Sequence, residues 1–169
     1  SDAYRNTLAP SKALYNRLRD PLIGGARSAL IKDVSTPAKT DFYVELLYWR
    51  SNNDNPTYLF RLAEQYLIRS EARSKKETPD LVGALADLNA VRNRSSIASF
   101  ESTSREEILL AIEEERRVEF AFEPHRWFDL VRTGRAGTVL GVKDTQKWIF
   151  PIPYNDLAAD PALVQNPGY

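Results

Sequence analysis

The chain has 169 residues with 23 basic and 23 acidic side chains, so its formal net charge is zero. Its composition, 43% hydrophobic, 27% charged and 11% aromatic, suits one domain with a real core rather than a disordered or fibrous chain. The charge balance argues against a broad basic footprint for nucleic acid, and the lack of cysteine excludes a disulfide framework, a thiolate nucleophile and a cysteine-ligated metal.

Methionine is absent as well, position 1 included, so the lack of a leader or lipid-bearing cysteine excludes neither secretion nor anchoring. No apolar run approaches the ~20 residues of a membrane helix.

Residues 1–55 read as an irregular, loop-rich segment packed on helices. Asp20-Pro21, Gly24-Gly25 and Thr36-Pro37 are turn signals, and Lys12–Arg19 is a candidate short helix. The apolar run "DFYVELLYW" (Asp41–Trp49) has strand composition. In a chain that is helical elsewhere, it is expected to lie as a loop across a helical core.

Residues 56–169 read as the helical part. The first helix spans about 56–76, with Asn55 as N-cap and Pro56 at N1, where its missing N–H costs nothing. Leu59, Leu62, Ala63, Tyr66, Leu67 and Ser70 follow at helical spacing. The second helix covers about 80–94 on Leu81, Leu85 and Leu88, and the short connector makes the two an antiparallel hairpin. The third runs about 104–123, opened by a Ser104…Glu107 capping box and stopped by Pro124. A short helix at about 125–132 follows before Gly134, and the Pro-spaced tail reads as fixed loops.

The stretch "EEERRVEFAFEPHRWFDLVRTG" (Glu113–Gly134) carries the densest charge. At about 100° per residue, Ile108, Leu109, Ala111, Ile112, Val118, Phe120 and Phe122 form a wide apolar arc. Glu119 falls near its middle, and Glu115, Glu123 and Arg116 fall within it. Glu113, Glu114 and Arg117 fall outside. The inward carboxylates need partners, because an unpaired buried charge is very costly. Glu115, Arg116, Glu119, Glu123, Arg126 and Asp129 are therefore expected to form a structural ion network. Arg132, and Arg61 or Arg69 from the first helix, are further candidate partners.

The same facts admit a carboxylate-based glycoside hydrolase, with Glu115 and Glu119 one turn apart. Against it, the chain has a single histidine, His125, no HExxH and no nucleophile motif beside His125 and Asp129. Catalytic residues, metal ligands and cofactors are all expected to be absent. The glycine pair in "DPLIGGAR" lacks a phosphate-loop pattern and reads as a turn. Aromatic and polar side chains in "YWRSNNDN" have the composition of a sugar platform, which makes Tyr48, Trp49, Asn52 and Asn53 the candidate ligand contacts.

Several ordered blocks resemble the C-terminal region of the SusD/RagB family. They are "RLAEQYLIRSEA" (Arg61–Ala72), "ALADLNAVRNRS" (Ala84–Ser95), the charged stretch itself and "FPIPYNDLAADPALVQNPGY" (Phe150–Tyr169). Pro124 departs from the pattern, which has glycine there. The resemblance implies an all-α fold of tetratricopeptide-like helical hairpins with long ordered loops, of which this chain is the C-terminal part. It implies a cell-surface lipoprotein of the outer membrane of Bacteroidetes, with no enzymatic activity and no cofactor. Its partners would be an oligosaccharide or other nutrient and a SusC-like TonB-dependent transporter, not nucleic acid. Membrane attachment would come only through a lipid anchor missing from this chain. A helical-repeat interaction domain without small ligand is the alternative.

Overall fold

A computed structural model describes residues 9–48 and 58–169. The chain falls into two compact units, residues 1–123 and 124–169.

The first unit opens with α1 (Lys12–Arg19), capped by the Ser11 side chain, which accepts from the Leu14 N–H at 3.2 Å. A tight 3-10 turn (Gly25–Leu30) leads into β1 (Ile31–Asp33). β1 pairs antiparallel with β2 (Tyr43–Glu45), Ile31 opposite Glu45 and Asp33 opposite Tyr43. The run expected to lie as a loop is thus partly a short strand. Its β-branched and aromatic residues found a partner in the equally short Ile31–Asp33.

The helical layer consists of α2 (Leu62–Lys75), α3 (Leu81–Arg94) and α4 (Arg105–Glu119). Asn55 and Pro56 lie outside the described residues, but Tyr58–Phe60 are not helical, so α2 begins later than the Pro56 signal suggests. The reason lies in Arg61, whose backbone is extended (φ −131°, ψ 147°) and whose side chain is committed to α4. The Asp80 side chain caps α3 through the Gly83 N–H at 2.8 Å.

Ser104 caps α4 through the Glu107 N–H at 3.3 Å, but the capping box is only half made. Ser102 Oγ takes the Ser104 N–H at 2.9 Å and donates to the Glu107 carboxylate at 2.6 Å. α4 stops at Glu119, four residues before the expected end at Glu123. Pro124 disfavours helical backbone at Glu123, and the Arg61 guanidinium takes the free Glu119 carbonyl at 2.9 Å, so the early end is satisfied.

Among the described residues, two separate apolar clusters hold this unit. One gathers Ala63 and Leu67 of α2, Ala84, Leu88 and Val91 of α3, and Ile108, Ile112 and Phe120. The other gathers Leu18, Ile31, Tyr43 and Val118, with the Tyr15 and Tyr43 rings stacked 4.2 Å apart. Each fully buried leucine or isoleucine contributes about 1.5–3 kcal/mol relative to exposure.

The second unit contains α5 (Arg126–Arg132), α6 (Ala136–Leu140), a 3-10 turn (Thr145–Trp148) and α7 (Tyr154–Ala159). The tail is more helical than its prolines suggest. Its extended segment is held by side chains acting on backbone. The Gln165 amide accepts from the Ile152 N–H at 2.8 Å and donates to the Ile152 carbonyl at 2.9 Å. Asn166 donates to the Phe150 carbonyl and the Tyr169 hydroxyl to that of Ile149.

Candidate functional site

One turn of helix separates Glu115 from Glu119, and a further four residues bring Glu123, so three carboxylates follow one line of α4 and its extension. All three are buried, Glu115 at 1% exposure and Glu119 at 4%. Arg27, Arg61, Arg92 and Arg94, from three other segments, answer them.

Arg27, in the 3-10 turn, places Nη2 on Glu115 and Nε on Glu119 at 2.8 Å. Arg92 and Arg94 come from the last turn of α3. Arg92 Nη1 lies 3.3 Å from Glu115, and Arg94 Nη2 lies 2.6 Å from Glu119. Arg61 donates from Nη1 to Glu119 at 2.5 Å and grips Glu123 with Nε at 3.1 Å and Nη2 at 2.6 Å. Its planar fork makes this double grip possible; a lysine ammonium has no such geometry.

Of the other expected network members, Arg116 is buried with Nη2 at 3.9 Å from Glu64 and its guanidinium 5.1 Å from the Phe120 ring centre. Asp129 accepts from its neighbour Arg132 at 2.9 Å, within the second unit. Arg126 is the first residue of α5 and half-buried. Arg69 is not a partner of the α4 carboxylates. With Arg73 it holds the buried Asp87 of α3, at 2.7 and 2.8 Å from Arg69 and 2.9 Å from Arg73. Glu114, expected on the solvent side, is half-buried and takes Arg17 of α1 at 2.5 Å.

The ladder's electrostatics follow from this geometry. Burial pushes the Glu115 carboxyl above its ordinary 4.5, against the opposing pull of Arg27 and Arg92. At Glu119 burial acts the same way, but the Arg94 hydrogen bond and the charges of Arg27 and Arg61 outweigh it, and the carboxyl sits below 4.5. Carboxylates sealed by arginines in this way have no open face for a substrate.

Arg27, Arg92 and Arg94 are the partners that helical spacing alone did not reveal. A signal for Arg27 was nonetheless present in the glycine pair before it. Gly25 adopts φ +55°, and a Cβ there would stand 2.2 Å from the Ser95 carbonyl oxygen. That close approach lets the Ala26 N–H bond Ser95 at 2.9 Å and delivers Arg27 to α4.

Of the candidate ligand residues, Trp49, Asn52 and Asn53 lie outside the described residues. Tyr48 is half-buried, its ring centre 5.9 Å from that of Tyr58. Burial raises the pKa of its phenol. Among the described residues, no group of three or more His, Cys, Asp or Glu side chains is arranged to hold a metal ion, and no helix is long and apolar enough to cross a membrane.

The architecture is that of an all-α protein built on a helical hairpin, with its charged cluster spent on the scaffold. Residues 40–141 match the profile of the SusD family, and the chain belongs to that family. It is 31% identical over 131 residues to the SusD-like protein P38 of Formosa agariphila, a stretch covering 70% of this chain and 26% of that protein. The chain thus spans about a quarter of the length of that curated relative. Its fold is also that of a SusD superfamily protein from Bacteroides vulgatus, with a TM-score of 0.76 at 19% identity over 95% of this chain and 44% of the other. The surface glycan-binding protein A of Bacteroides thetaiotaomicron aligns with a TM-score of 0.67 at 24% identity, over 94% of this chain and 41% of that one.

Proposed function

We propose that the chain belongs to a non-catalytic, cell-surface protein of the outer membrane that captures a glycan nutrient for a SusC-like TonB-dependent transporter. Membership of the SusD family through residues 40–141 carries this reading. The like-folded protein from Bacteroides thetaiotaomicron, named as a surface glycan-binding protein, supports the choice of ligand class. The burial of Glu115 and Glu119 under arginines speaks against hydrolysis, since a general acid must reach the glycosidic oxygen. For ligand contact we favour Tyr48, Trp49, Asn52 and Asn53; Tyr48 pairs with the Tyr58 ring, and aromatic rings are apolar surfaces of the kind sugars stack on.

The test is a glycan array followed by titration calorimetry on the purified protein. The expected result is reproducible binding of one glycan class without its cleavage. Tyr48→Ala combined with Trp49→Ala should weaken it about tenfold or more, the equivalent of ~1.4 kcal/mol. Cleavage of the bound glycan would overturn the non-catalytic reading. Absence of binding to any glycan or oligopeptide would leave the helical hairpin as a protein-interaction scaffold.

A further inference from the structure

We infer that residues 12–46 form a releasable strap, a cooperative unit that opens from α4 as a whole while the α2–α3 hairpin and α4 stay folded. The inference goes beyond the binding function and does not depend on it.

Three observations carry it. First, the strap meets the end of α4 in an apolar cluster separate from that of the hairpin. Leu18, Ile31 and Tyr43 are buried against Val118, with Tyr15, Ile23, Ala121 and Phe122 around them, and none of these belongs to the hairpin cluster. Its backbone bonds are largely internal too: Val34 N–H to the Phe42 carbonyl at 2.9 Å and Leu46 N–H to that of Leu30 at 2.8 Å. A segment packed through a cluster separate from the main core, with hydrogen bonds largely its own, is what opens as a unit below the global unfolding free energy.

Second, the seam between the two clusters is ionic. Arg27 supplies the strap's charges to Glu115 and Glu119, while Arg92, Arg94 and Arg61 supply those of the helical layer. Arg17 adds a half-buried pair with Glu114. When the strap opens, both buried glutamates regain water on one side and keep their other arginines on the other. The open state therefore leaves neither glutamate buried without a charge partner, and this removes the usual penalty for breaking a buried pair.

Third, beside these contacts the strap's backbone closely approaches the end of α3 at one point. The Gly25 Cα lies against the Ser95 carbonyl with no room for a side chain, next to the Ala26–Ser95 hydrogen bond.

Native-state hydrogen exchange in low guanidinium tests this on the full chain. In the wild type, amides of Asp20, Ala26, Val34 and Leu46 should exchange through one shared opening of lower free energy than that of Leu67, Leu88 and Ile112. A single free energy common to both sets would overturn the strap. Arg27→Met should speed exchange in the strap about tenfold or more, with α2 and α3 amides changing less than about twofold. Gly25→Ala acts through sterics, not charge, and should reproduce that pattern. A parallel rise over the whole chain in either variant refutes a separate unit.

Discussion

Arg61 meets Glu119 twice, with Nη1 on its carboxylate at 2.5 Å and Nη2 on its backbone carbonyl at 2.9 Å. One side chain thus neutralises a buried charge and satisfies the last carbonyl of α4, and its remaining donors hold Glu123 just before Pro124. The same commitment holds Arg61 extended and sets where α2 can begin. Both helix boundaries that sequence signals misplaced are explained by this one contact.

Arg61→Lys is the sharpest probe of that contact. The charge survives, but an ammonium cannot serve two carboxylates and a carbonyl in a fixed plane. Loss of charged hydrogen bonds worth about 1.5–3 kcal/mol is expected, lowering the melting temperature by roughly 5–10 °C. A melting temperature within about 1 °C of wild type would show the fork to be dispensable.

Glu119→Gln should be costlier. It removes the acceptor charge shared by Arg27, Arg61 and Arg94, and strands guanidinium charge in a buried seam. About 3–5 kcal/mol is expected, visible by calorimetry. Glu77→Gln, on an exposed residue between α2 and α3, should cost no more than about 0.5 kcal/mol.

Asp87→Asn tests the hairpin independently. Asp87 is 3% exposed and accepts from both Arg69 and Arg73, while Arg73 also donates to the Gly83 carbonyl at 2.9 Å. The amide cannot accept the same fork with full charge. A loss of about 2–4 kcal/mol in urea denaturation is expected, with the exchange of α2 and α3 amides accelerated together. An effect confined to the C-terminal end of α2 would contradict the clamp.

How much of this was legible in the sequence depends on the range of the interaction. The α2–α3 hairpin, the Ser104 cap and the inward turn of Glu115 and Glu119 are written in local spacing, because helix periodicity and capping act within a few residues. The identity of Arg27 as partner is not, since 88 residues separate it from Glu115 and only the fold brings them together. Glu114 was misread for the same reason: the wheel turns it outward, but α1 covers that face with Arg17. The β1–β2 pair was missed because a three-residue strand has too little alternation to declare itself against an apolar loop.

Acid titration should separate the two buried glutamates by sign. Glu119 has a folded pKa below its ordinary 4.5, so on acidification the unfolded chain takes up this proton first. Its contribution is fully present above about pH 4.5 and is lost as the pH falls through the folded value. Glu115 is the reverse, with a folded pKa above 4.5, so the folded chain holds the extra proton. Stability from this site falls as the pH rises from about 4.5 through the folded value, then levels off. Urea unfolding of both variants against wild type, at about pH 3, 4.5 and 7, follows each term. The deficit of Glu119→Gln should shrink toward the acid end, where wild type has lost what the variant never had. The deficit of Glu115→Gln should shrink toward neutral pH, because the variant escapes the cost of ionising a buried carboxyl. Parallel curves for the two variants would mean that the arginines hold both carboxylates alike, and that burial does not dominate at Glu115.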